Sequence, residues 1–391
     1  EARAAFLEAL AVDFGADAEA VEAAIAAYRE APGAETLDRV HEAAEPRRQE
    51  LMRRMNTAPG GTEALIRMRE AVMDALPDNP RLAPVDADFV HLFSSWFNRG
   101  FLMLRPIDWN TPASILEKLI RYEAVHAING WDDLKNRLGP PDRRCYGFLH
   151  PRRPDDPLIF VEGALTRDIP DRIAPILDMD RVPIAPEDAT TAVFYSISNT
   201  QRGLAGVSFG HFLIKQVVEE LRREVPGLRT FVTLSPVPRF ARWLAEQRTA
   251  DEPDLEPAIL EALDVLDAPG WQDDADVVEA LREPFLAAAA FYFLEARDQL
   301  GRVPDPIARF HLGNGARLEQ LDMLGDVSAK GMAQAHGLMV NYLYDPQTIE
   351  ANHEAFAERG EVIASQPVRK ALKRGGVGAS RALARTQRNK S

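Results

Sequence analysis

Thr191-Ala192-Val193-Phe194-Tyr195-Ser196-Ile197, Gln201-Arg202-Gly203-Leu204-Ala205-Gly206 and Leu228-Arg229-Thr230-Phe231-Val232-Thr233-Leu234 decide the fold of this chain. The first and last are β-branched, apolar runs of strand length, and an amphipathic helix fits between them from about Phe209 to Glu224. Strand, glycine turn, helix and strand make a βαβ unit. Unpaired amides at a helix N-terminus, approached closely past glycines and reinforced by the helix dipole, form a natural phosphate site. The second strand ends in Ser235-Pro236-Val237-Pro238, so a hydroxyl is expected beside that turn.

Outward from this unit, bulk properties narrow the possibilities. The 391 residues suffice for two domains, and 46% hydrophobic with 27% charged residues is an ordinary globular balance. A net charge of −14 argues against nucleic acid or anionic membrane as partners. No apolar run approaches the roughly 20 residues that span a bilayer. The single cysteine, Cys145, excludes an internal disulfide frame and suits a reducing, cytoplasmic setting.

Residues 1–88 read as a helical domain: Ala4–Ala11, Ala18–Arg29, Thr36–Met55 and Glu63–Leu76 carry helical apolar spacing, with Thr62 as a cap. Residues 89–391 read as a mixed α/β domain, with Asp88–Phe97 helical at its start. Strands are expected at Phe101–Arg105, Arg144–Leu149, Leu158–Leu165, Ala308–Leu312 and Leu338–Tyr344. Helices are expected at Pro112–His126, Arg239–Gln247, Pro284–Leu300, Ala316–Met323 and Ser328–His336, with an acidic helical insert near 250–300. From about residue 365 the chain reads as a mobile basic tail, since 362–391 hold no acid and 369–391 hold eight Lys or Arg. The fold class is thus α+β.

Several residue types could carry chemistry. Glycines 203, 206 and 210 fit neither a Walker A loop nor a dinucleotide fingerprint. Ser235 lacks the Gly-x-Ser-x-Gly elbow of a hydrolase and, on its motif alone, also reads as a turn serine. His311, in Phe310-His311-Leu312-Gly313-Asn314-Gly315, reads equally as a structural histidine or, with an ordinary pKa near 6.5, as a proton donor at neutral pH. No two of the eight histidines stand four apart, so no zinc motif is present. Tyr342 and Tyr344 would share one face of the last strand, as core residues or as part of a site.

The run Ser196-Ile197-Ser198-Asn199-Thr200-Gln201-Arg202-Gly203-Leu204-Ala205-Gly206-Val207-Ser208-Phe209-Gly210-His211-Phe212-Leu213-Ile214-Lys215 resembles the malonyl-CoA decarboxylase family. Thr233-Leu234-Ser235-Pro236-Val237-Pro238-Arg239-Phe240, Phe310-His311-Leu312-Gly313-Asn314-Gly315-Ala316 and Gly337-Leu338-Met339-Val340-Asn341-Tyr342-Leu343-Tyr344 resemble it too, as does Asp142-Arg143-Arg144-Cys145-Tyr146. The resemblance implies a helical domain used in homo-oligomer assembly, a tetramer built as a dimer of dimers, and a second domain of the GCN5-related acetyltransferase fold. It implies conversion of malonyl-CoA to acetyl-CoA and carbon dioxide, with neither metal nor organic cofactor. By the same resemblance Ser235 and His311 are catalytic. Ala205, Gly206, Val207, Ser208, Phe209, Gly210, His211, Ser235, His311 and Tyr344 contact substrate. Animal members carry Glu where this chain has Ser208, and Thr or Asn is usual at His211. The peroxisomal ending of some relatives is missing, which points to the cytosol. An acyl-CoA-dependent N-acyltransferase and a non-catalytic acyl-CoA-binding protein are the competing expectations.

Overall fold

The computed structural model describes residues 2–97, 102–151, 155–207 and 213–374. They form two compact units. One comprises the chain up to Leu102 together with the glycine turn, described over 201–207; the other holds Met103–Thr200 and the chain after the turn.

The first unit is helical: α1 (Ala2–Val12), α2 (Ala18–Glu30), α3 (Ala34–Ala44), α4 (Arg47–Thr57), α5 (Gly61–Ala75) and α6 (Ala83–Trp96). Asp17 starts α2 by accepting from the amides of Glu19 and Ala20. The stretch expected as one helix over 36–55 is two, because Pro46 holds an extended backbone and supplies no amide. The expected cap Thr62 lies inside α5, where its hydroxyl donates to Asn56 Oδ1 at 2.7 Å; Gly60, left-handed at φ 71°, precedes that helix. Leu65, Ile66, Val72, Val85, Phe89 and Phe93 make the core. Arg48 pairs with Asp88 inside it, and Gln49 also donates to Asp88, at 2.6 Å.

The second unit is built on a seven-stranded sheet of order β1-β2-β3-β4-β5-β7-β6. The strands are β1 (Met103–Pro106), β2 (Arg143–Leu149), β3 (Ile159–Thr166), β4 (Thr191–Asn199), β5 (Thr230–Pro236), β6 (Arg317–Asp322) and β7 (Met339–Leu343). Every pair is antiparallel except β4–β5, the pair closed by the crossover helix. A helical unit followed by a mixed sheet with flanking helices is the α+β architecture expected from the sequence. The parallel register covers only Thr191–Phe194 against Thr230–Thr233, although β4 runs on to Asn199 and β5 to Pro236. A bulge at Glu162/Gly163 opposite Ser196 and Phe194 turns β4 where the two strands part.

The helices around the sheet are α7 (Ala113–Tyr122), α8 (Trp131–Leu138), α9 (Ala174–Leu177), α10 (Leu213–Glu224), α11 (Phe240–Thr249), α12 (Pro257–Leu263), α13 (Ala275–Leu294), α14 (Pro306–Gly313), α15 (Ala329–Ala335), α16 (Ile349–Arg359) and α17 (Gln366–Arg374). The sequence reading missed α8 and α16, and four of its expectations are corrected by the structure. Ala308–Leu312 is helical, within α14, because Asp305 caps its start and Pro306 occupies the first turn. Of residues 316–323, read as helix, Arg317–Asp322 form β6, since pairing with β7 overrides the Glu/Gln/Leu propensity. The long buried helix begins at Ala275 rather than Pro284, with the proline inside it, and it stops at Leu294. Residues 366–374, read as part of a mobile tail, form α17, whose Val368 is buried and which follows Ser365, bound to the Glu319 carbonyl at 2.6 Å. The rest of that tail, 375–391, lies outside the described residues.

Candidate active site

β5 delivers Ser235 just past the last residue that pairs with β4, Thr233, so the hydroxyl stands where the sheet opens. Period-two alternation puts Thr233 and Ser235 on one face, and Ser235 Oγ donates to Thr233 Oγ1 at 2.9 Å. Tyr342 lies opposite Thr233 in the β5–β7 register. Tyr344 follows β7, held in line by its amide donating to the Phe231 carbonyl at 2.8 Å.

Over this face α14 brings His311. Asp305 Oδ1 accepts from the amides of Ile307 and Ala308, both at 2.9 Å, and fixes the helix start. Gly315 lets the chain leave tightly. Its φ is 81°, and a Cβ there would stand 2.0 Å from the Ile349 carbonyl oxygen. The imidazole stacks on Tyr342 with centroids 4.5 Å apart and planes 24° apart. Its Nε2 lies 3.1 Å from Ser235 Oγ, and its Nδ1 lies 2.8 Å from Tyr344 Oη. Ser235 is 5% exposed and His311 3%. Residues 76 apart in sequence therefore share one hydrogen bond.

The hydrogen positions follow from the donor inventory. With the Ser235 proton directed at Thr233, Ser235 Oγ accepts from Nε2–H, and Nδ1 accepts from the Tyr344 hydroxyl. Burial drives the His311 pKa down from 6.5 to about 3, and burial likewise pushes the Tyr344 phenol well above its usual range. Burial thus favours a neutral imidazole at this histidine, which the sequence reading expected to be charged near neutrality. Thr233 and Asp305 are the residues that motif reading missed. The first is legible as the same-face neighbour of Ser235, the second as the Asp-Pro signature of a helix start.

The glycine turn sits in the helical unit. Ala205 accepts through its carbonyl from Arg69, Gly206 is left-handed at φ 74°, and Val207 is buried. The amides of Leu204, Ala205 and Val207 are spent on turn carbonyls at 3.0–3.1 Å, so they are not free for an anion. Ser208, Phe209, Gly210 and His211 lie outside the described residues. Among the described residues no group of three or more His, Cys, Asp or Glu is placed to hold a metal ion, and no helix is long and apolar enough to cross a membrane.

Comparison with known proteins decides the family. Residues 14–97 match the model of the malonyl-CoA decarboxylase N-terminal domain and residues 100–382 that of the C-terminal domain. The chain belongs to the malonyl-CoA decarboxylase family. It is similar to the malonyl-CoA decarboxylase of Rhodopseudomonas palustris, with 61% identity, a TM-score of 0.88, and coverage of 94% of this chain and 90% of that one. The Agrobacterium vitis malonyl-CoA decarboxylase shares 57% identity at a TM-score of 0.87, over 95% of this chain and 90% of that one. The mitochondrial malonyl-CoA decarboxylase of Anser anser anser is 34% identical over 94% of this chain and 79% of its own length.

Proposed function

We propose that the chain decarboxylates malonyl-CoA to acetyl-CoA and carbon dioxide, with Ser235 and His311 carrying the chemistry. The observation that bears this reading is the buried chain Thr233–Ser235–His311–Tyr344 at the mouth of the β4–β5 opening. In an acetyltransferase-like fold that opening suits an acyl thioester, with the unpaired stretch of β4 meeting the amides of the pantetheine arm.

The reaction breaks the bond between C2 and the carboxylate carbon. Carbon dioxide leaves neutral, and the electron pair passes into the thioester as an enolate. Ser235, released from Thr233 when substrate enters, orients the malonyl group through its hydroxyl. A preset donor of this kind contributes about 3–4 kcal/mol when it meets developing negative charge. His311 gives its Nε2 proton to C2, and solvent restores it, so one proton is consumed per turnover. A neutral imidazole is a suitable donor to so basic a carbon. The Tyr344 hydroxyl, donating to Nδ1, stabilises the ring as that proton leaves. The chemistry asks for no group beyond these side chains.

For the nucleotide end of the substrate, the reading carried over from the resemblance is contact with the turn Ala205–His211. For the helical region the reading is assembly into a homo-oligomer, the tetramer of the resemblance. It is supported by α2 and α3, which bury no residue within the single chain while Tyr28 and Leu37 stand exposed. The buried thiol of Cys145 suits a reducing compartment such as the cytosol.

Purified chain incubated with malonyl-CoA and EDTA, with no acyl acceptor, should release carbon dioxide and acetyl-CoA. His311→Asn should lower turnover by about 10²- to 10⁴-fold while CoA affinity stays near wild type. Wild-type turnover in that variant would remove His311 from the mechanism.

A further inference from the structure

His311 sits in the last turn of α14, a helix of only 8 residues, and so short a helix takes its position from what packs against it. Asp305 caps its start, while its end runs out through Gly313 and Gly315, where the backbone is least restrained by side chains of its own. One face of α16 closes on that end. Ile349, Asn352 and His353 stand at i, i+3 and i+4, so they point the same way. Nδ1 of His353 lies 2.6 Å from the Gly313 carbonyl oxygen, and because a carbonyl only accepts, Nδ1 carries the proton. Nδ2 of the buried Asn352 donates to the Gly315 carbonyl at 3.2 Å, and the backbone of Ile349 abuts Gly315. Carbonyls left over past a helix end thus find their donors on α16. A short turn joins α16 to Tyr344: Asp345 Oδ1 accepts from the Gln347 amide at 3.0 Å, and the Asp345 carbonyl accepts from the Ile349 amide at 2.9 Å. The segment 344–353 therefore carries both the hydroxyl that meets the imidazole and the side chains that meet the helix bearing it.

We propose that Asn352 and His353 are positioning residues for His311. By holding the Gly313 and Gly315 carbonyls they fix the exit of α14. With it they fix the reach of Nε2 to Ser235 Oγ, 3.1 Å, and of Nδ1 to Tyr344 Oη, 2.8 Å. Thr233 and Ser235 are pinned by the sheet, on β5, and Tyr344 by its amide bond to the Phe231 carbonyl. His311 is the member of the hydrogen-bonded chain that comes from a helix, so its distance to the others depends on how that helix is held. Tyr344 sets how the ring is turned, and α16 sets where the ring stands. This inference rests on the reading that His311 gives its proton to C2.

The test reads kcat and KM for malonyl-CoA in the full chain. A misplacement of about 1 Å costs about a hundredfold in rate, and losing one of two hydrogen bonds leaves the helix partly held. His353→Ala should therefore lower kcat about tenfold with KM within about twofold of wild type, and Asn352→Ala should do the same. His353→Asn should return kcat to within about threefold of wild type, because the asparagine Nδ2 falls near the place of the histidine Nδ1. The second arm is a double-mutant cycle. In a His311→Asn background, His353→Ala should change kcat by less than about twofold, since slack in α14 matters only while the imidazole is there to be placed. Full kcat in His353→Ala, a His353→Asn enzyme as slow as His353→Ala, or a tenfold loss that persists in the His311→Asn background would each overturn the proposal. Should His353→Ala fail to fold, His353→Gln carries the same cycle, since its amide lies one bond beyond the Nδ1 position. The underlying reading fails by a different result. Wild-type turnover in His311→Asn removes His311 itself, whereas a slow His311→Asn beside a full-speed His353→Ala removes only the role of α16.

Discussion

Removing one oxygen atom, in Tyr344→Phe, tests the direction of the hydrogen-bond chain through the active site. The Tyr344 hydroxyl is the partner of His311 Nδ1 at 2.8 Å, and both side chains are buried. Deleting it leaves a ring nitrogen without a partner in a dry site, at a cost of about 1–3 kcal/mol. The ring can recover by shifting its proton to Nδ1, but then Nε2 has none to give. We expect kcat to fall by about tenfold to a hundredfold, following 1.4 kcal/mol per tenfold, with KM for malonyl-CoA little changed. Nitrogen-15 NMR of the imidazole supplies the structural arm. Wild-type protein should show a protonated Nε2 and a bare Nδ1 throughout pH 5 to 8. The sign is fixed by burial: the folded pKa lies below the ordinary 6.5, at about 3, so the neutral form prevails above that value. At pH 6 the imidazolium fraction should be about one in a thousand. Because the folded state binds fewer protons than the unfolded one, this neutral histidine contributes stability that is fully present above pH 6.5 and lost as pH falls toward about 3. A wild-type imidazole that titrates near 6.5, or a Tyr344→Phe enzyme at full speed, would refute the reasoning.

A second perturbation concerns the strand that borders the opening. Glu123 accepts from Ser196 Oγ at 2.7 Å on both oxygens, from Ser198 Oγ at 3.1 Å, and from the amides of Val125 and His126 at 2.8 and 2.9 Å. Glu123→Ala should cost about 3 kcal/mol in chemical denaturation by leaving buried donors without acceptors, whereas Glu123→Gln, which keeps an acceptor, should cost about 1. Equal stability of the two variants would show that Glu123 does not tie β4 down.

The order of elements around the central βαβ unit was legible because β-branched runs, glycine turns and apolar periodicity are local signals. The same holds for β1, β2, β3 and β7. Asp305-Pro306 was also a local signal, and overlooking it put His311 on a strand instead of on a capped helix. β6 was not legible in this way: its residues favour a helix, and only pairing with β7 makes them extended. The blocks around Ser235, His311 and Tyr344 could be matched to a family from their residues alone.

What the chain determined by itself was which side chains were available: a serine ending a strand, a histidine before a glycine pair, and alternate tyrosines on one face. Tertiary structure decided their state. Packing α14 over the sheet brought Nε2 to 3.1 Å from a hydroxyl 76 residues away and removed the water that would have kept the imidazole titrating near neutrality. It also joined the glycine turn to α5, since contacts between residues more than 130 apart leave no trace in local spacing.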